Sequence, residues 1–175
     1  MSFDIIIDPD KRSANYWKDL WKYRGLFYFL SWRDILVRYK QTVMGVLWSV
    51  IRPLMTMLVF TVIFGNLAKL PSNGIPYAIL VAAGMLPWQF FANSLSESGN
   101  SLISNASLLS KVYFPRIIIP VSSVVVSFID FMISFVIMIG LMIWYKFVPS
   151  VNIVLLPVFI LQAAFVSIGL GLLIS

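Results

Sequence analysis

Two carboxylates stand apart from the rest in this chain: Asp130, set in a long apolar run, and Glu97, in a polar stretch between two such runs. General acid/base catalysis needs two carboxylates converging on one substrate, and only Asp130 is expected at depth inside an apolar segment. Histidine and cysteine are absent. That removes imidazole catalysis, thiol chemistry, disulfides and the usual zinc and haem ligand sets, and it deprives any serine of a histidine base. None of the nine glycines is followed by lysine, so the chain lacks the Gly-Lys pair that cradles nucleotide phosphates in a Walker A loop. We therefore assign no catalytic residue, no cofactor-binding residue and no metal ligand, and read the chain as a non-enzyme.

The physical setting explains why reactive groups are so few. Hydrophobic residues make up 60% of the sequence and charged residues 11%, with a mean hydropathy of +0.92. A soluble domain carries about 25% charged residues. The apolar residues fall in runs too long for one water-soluble core to enclose, so the solvent is lipid. Eight of the thirteen Lys and Arg residues lie at 11–40, ahead of the first apolar run, rather than over a dispersed face. This excludes a nucleic-acid partner and fits contact with a membrane surface and its lipids.

The elements that position these residues can be read in order. Residues 1–15 form an acidic tail with Pro9 between two aspartates and no sustained period; no cleaved signal is expected there. Residues 16–44 hold an amphipathic helix: Tyr28, Trp32, Ile35, Leu36, Tyr39 and Val43 recur at helical spacing, while Arg33, Asp34, Arg38 and Gln41 take other faces. Such a helix lies in the membrane plane with aromatics at headgroup depth, or packs on a partner protein. The region 45–175 supplies four spans, at 45–67, 75–96, 117–145 and 151–175. Pro87 predicts a kink near Leu86, and 97–116 should leave the bilayer as a short helix and loop. The fold class is thus all-α, polytopic and membrane-embedded. Lys and Arg concentrate before the first span and between spans two and three, which puts the N-terminus and that loop in the cytoplasm.

Three strings go beyond composition: WRDILVRYKQTVMGVLWSVIRPL at 32–54, GMLPWQFF at 84–91 and KVYFPRIIIP at 111–120. In this order and spacing they resemble the type-2 ABC exporter permeases that move O-antigen, capsular polysaccharide or teichoic acid. The resemblance covers the chain from about Trp17 onward. It implies an interfacial helix before the first span, a coupling helix between spans two and three, a permease homodimer, a lipid-linked polysaccharide substrate and a separate ATPase subunit that carries ATP and Mg. It further implies residence in the bacterial cytoplasmic (inner) membrane as a multi-pass protein. Members of that family usually have six spans and this sequence holds four, so the resemblance implies a longer permease whose remaining spans help to line and close the pathway.

Candidate residues follow from this reading. Trp88, Phe90 and Phe91 either stack on the C–H faces of sugar rings or pack as ordinary lipid-facing aromatics. Asp130 either bonds to a neighbouring helix or lines the pathway. Arg52, two turns into the first span, snorkels toward phosphates, and a pair between it and the deeper Asp130 is not favoured. Trp32, Arg33, Arg38, Tyr39 and Arg52 are candidate interface anchors. Asn105, Ser107, Leu108, Leu109, Ser110, Lys111 and Tyr113 form the candidate coupling segment to the ATPase. A drug or small-lipid exporter of the same fold and a noncatalytic scaffold for glycan assembly are the competing functions.

Overall fold

The computed structural model describes residues 21–40, 43–67, 72, 74–111 and 114–174. The expected tail at 1–15 and the coupling candidate Tyr113 lie outside them. Every element among the described residues is helical: α1 (Arg24–Lys40), α2 (Val43–Phe60) running into a π-helical stretch (Thr61–Leu67), α3 (Tyr77–Ser104), α4 (Ala106–Leu109), α5 (Ile118–Trp144), a 3-10 turn (Val151–Leu155) and α6 (Leu156–Ile174). Four segments are long and apolar enough to cross a bilayer: Leu47–Gly65, Tyr77–Ser104, Ile118–Trp144 and Val151–Ile174. This is the architecture of a multi-pass helical membrane protein.

Helix α3 is the centre of the bundle and packs most extensively on α5 and then on α6. Its composition turns polar after residue 93, yet the helix continues to Ser104. The serines there are small enough to sit between helices; Ser101 Oγ donates to the Ser98 carbonyl at 2.7 Å, whereas the buried Ser94 and Ser98 hydroxyls have no partner among the described residues. Pro87 lies inside this helix without ending it. Ser94, Ser98, Ser122, Ser127 and Ser167 are all buried. Small residues let membrane helices approach closely where lipid offers no hydrophobic driving force. At Gly171 on α6 an added Cβ would lie 2.6 Å from the Ser98 Cβ and 3.1 Å from the Gly99 nitrogen.

Helix α1 departs from the expected arrangement. The face it turns inward runs through Tyr23, Leu26, Phe27 and Leu30, which pack with Phe114, Ile118 and Ile119 at the start of α5. Tyr28 and Trp32 point outward, their rings stacked at 6.4 Å. From Leu30 near Ile118, the helix proceeds to Arg38 and Tyr39 on Asp130. Ile118 to Asp130 is about 18 Å of α5 at ~1.5 Å per residue. The helix therefore advances along α5 rather than lying flat across its end, because its last turn carries the groups that pair with Asp130.

Candidate functional site

Three helices present polar side chains to one another at helical spacing. On α2, Trp48, Ser49, Arg52 and Thr56 share a face; on α3, Leu86, Gln89, Phe90 and Asn93 do; on α5, Ser127, Asp130, Phe131 and Ser134 do. Together with Arg38 and Tyr39 at the end of α1 they enclose a cavity of about 460 Å³. Its polar wall is unusual for a site cut into membrane spans, where ionisable and amide groups are costly and gather around function.

The electrostatics centre on Asp130. Arg38 Nη2 donates to its Oδ2 at 2.9 Å, and the Tyr39 hydroxyl donates to its Oδ1. The other guanidinium nitrogen of Arg38 reaches Glu97 on α3 at 3.2 Å. One arginine thus ties α1 to both α5 and α3, sharing its charge between two carboxylates where the three helices meet. Burial pushes the Tyr39 phenol above its ordinary range near 10, and the Asp130 carboxylate it donates to pushes it further. Arg52 faces the same cavity from α2 and has no ion-pair partner among the described residues.

At the polar end of the bundle Arg33 donates to Asp34 at 2.7 Å and to the Asn105 side chain at 2.9 Å. Asn105 sits between α3 and α4 with φ −110° and ψ 20°, where the chain leaves the helix before re-entering it for one turn. Leu108 and Leu109 of that turn pack on the Leu30–Ile118 cluster, whereas Ser107, Ser110 and Lys111 are exposed. The coupling candidates thus divide into an inward apolar pair and an outward polar face.

The profile of the ABC-2 type transporter family matches residues 25–175, the whole stretch from α1 through α6. The chain belongs to the ABC-2 type transporter family. It is 32% identical over 144 residues to the O-antigen export system permease protein RfbA of Myxococcus xanthus, covering 82% of this chain and 55% of that protein. Two O-antigen export system permease proteins RfbA of Klebsiella pneumoniae are 32% and 33% identical over 120 residues, covering 69% of this chain and 46% of each. The chain spans about half the length of the curated relatives it matches.

Within this ABC-2 type chain the structure distributes the residues singled out from sequence unevenly. Phe90 and Asp130 share the cavity, with the Phe90 and Phe131 ring centroids 5.5 Å apart. Trp88 is 66% exposed and, with Phe91, lies off the cavity. Arg38, Tyr39 and Arg52 line it, and Trp32 faces outward. Gln89, Asn93, Ser127 and Ser134 are cavity residues that the sequence reading passed over. Their signal was present: each lies three or four residues from Leu86, Phe90 or Asp130 on its own helix.

Proposed function

We propose that this chain is the membrane-spanning part of a permease that exports lipid-linked cell-surface polysaccharide across the bacterial cytoplasmic membrane. The observation that carries the reading is the similarity to O-antigen export permeases over as much as 82% of the chain, joined to a polar cavity between the spans. In this reading the permease acts as a homodimer with its N-terminus in the cytoplasm, and it performs no bond chemistry. A separate ABC ATPase binds ATP and Mg and pushes on the α4 turn, whose exposed serines and Lys111 offer it a polar face. A short helix seated in a partner's groove can transmit rigid-body motion in this way.

The test is coexpression and purification of the permease with a candidate ABC ATPase from the same organism, followed by turnover measurements with and without lipid-linked glycan. Glycan-stimulated ATP hydrolysis by a two-component complex is the expected result. Stimulation by small amphiphiles but not by glycan would identify a drug or small-lipid exporter. A permease that never associates with an ATPase would be a scaffold.

A further inference from the structure

The Asp130 charge is already engaged by Arg38 and Tyr39, but the second cation on the cavity wall is not matched. Arg52 lies five residues into the Leu47–Gly65 span. That is about 8 Å along the helix from the start of the apolar span, inside the acyl region but within reach of the headgroups for a long side chain. A guanidinium held there beside apolar surface is costly unless an anion pairs with it. The surroundings describe that anion. Gln89 and Asn93 on α3 supply amide donors across the cavity, Trp48 lies one turn from Arg52 on the same face, and Phe90 and Phe131 give an apolar floor. Amide donors and a planar guanidinium suit phosphate oxygens; the floor and the Trp48 ring suit the chain attached to them. A cavity of about 460 Å³ has room for a phosphate headgroup.

We propose that Arg52, with Gln89 and Asn93, is a receptor for the phosphate group of a membrane amphiphile whose chain extends along α2 into the bilayer. Two amphiphiles carry this chemistry: bulk anionic phospholipid and the phosphate-bearing lipid to which an exported glycan is attached. The second source rests on the permease reading; the site itself does not.

The experiment places the chain in phosphatidylcholine nanodiscs doped with either polyprenyl phosphate or phosphatidylglycerol and counts retained lipid by native mass spectrometry, without ATPase or glycan. Arg52→Gln is expected to lower retention of polyprenyl phosphate about tenfold, Arg52→Lys to keep it within about threefold, and Gln89→Leu to lower it by a smaller factor while leaving Arg52 in place. Arg116→Gln, at the exposed start of α5, serves as the control and should retain lipid as the parent does. The same Arg52 dependence seen with phosphatidylglycerol supports the site and makes bulk lipid its occupant; dependence confined to polyprenyl phosphate supports the glycan carrier. Equal retention by the parent and Arg52→Gln for both lipids, with Gln89→Leu also unchanged, overturns the proposal. So does an equal fall on Arg116→Gln, which would reduce the effect to surface charge. Because no ATPase enters the assay, failure of the permease reading leaves this result standing, and the reverse.

Discussion

Arg38, in the last turn of α1, donates to the carboxylate of Asp130, at the middle of α5, over 2.9 Å, and the same guanidinium holds Glu97 on α3. The two elements nearest in sequence to Asp130's neighbours do not supply its partner; an element made long before it does. The pair is only partly exposed, so it is less screened than a surface ion pair.

Replacing Asp130 separates polarity from charge. Asp130→Asn keeps an acceptor for the Tyr39 hydroxyl and should cost about 1–2 kcal/mol, while Asp130→Leu removes both partners and should cost about 2–3 kcal/mol, Arg38 retaining Glu97 in each case. Unfolding in mixed micelles gives the ranking. The costs of Arg38→Gln and Asp130→Asn should be less than additive when combined; strict additivity would mean the contact contributes nothing.

Tyr39 gives a pH signature. Its phenol is held above the ordinary range, so the folded chain keeps the proton where the unfolded chain loses it. The contribution is fully present below pH about 10 and is lost as pH rises above that value toward the folded-state pKa. Stability should therefore fall with alkaline pH in the parent and fall less steeply in Tyr39→Phe. Parallel stability curves for the two proteins, or a Tyr39 phenol that ionises at its ordinary pH by ultraviolet absorbance, would count against the buried bond.

The α3–α6 seam should be intolerant of a single methyl group. Gly171→Ala drives a carbon against Ser98 and the Gly99 backbone and should destabilise the chain by about 1–3 kcal/mol. Adding Ser98→Gly removes the nearer obstacle and should restore part of the loss. If the second change makes matters worse, the helices do not meet at this point.

Cysteines placed at Ser107 and Ser110 should be labelled from the cytoplasmic side and one at Ser150 from the opposite side, cleanly, since the chain has no native cysteine. The opposite pattern would invert the topology.

In the assembled transporter the Ser107 and Ser110 cysteines should crosslink to the ATPase, with a yield that changes on adding nucleotide. Leu108→Glu should unseat the α4 turn from its apolar cluster, cutting crosslink yield and glycan-stimulated turnover at least about fivefold while membrane insertion stays intact. Normal turnover in that variant, with no crosslinks at either serine, would reduce the turn to a plain connection.

The spans were legible because lipid imposes length and apolarity on any helix that crosses it, and those two properties are written residue by residue. The cavity was less so. Arg38 and Tyr39 read as headgroup anchors because aromatic and cationic residues near a span have that role by default, and nothing local to 38–39 points to position 130. The inward face of α1 was not legible either: Leu26, Phe27 and Leu30 take the protein side, while Tyr28 and Trp32, amphipathic rings of the kind at home at a membrane interface, stay outside. Trp88, Phe90 and Phe91 looked like one cluster on the page, yet at about 100° per residue they point to different faces, and only Phe90 faces the cavity. Gln89 and Asn93 needed the helical period applied to polar residues as it was to apolar ones.

The distance in sequence between Tyr39 and Asp130, 91 residues, sets an order of events during synthesis. Chains emerge N-terminal end first, so α1 is complete and waiting at the membrane before α5 leaves the ribosome. Inserting a helix with an aspartate at its centre costs about 2.5–3.5 kcal/mol when the carboxylate is alone. Here the counter-charge is made in advance and presented at the site of insertion. A nascent α5 thus meets a partner for its charge already made, and the docking of α1 joins the second and third spans.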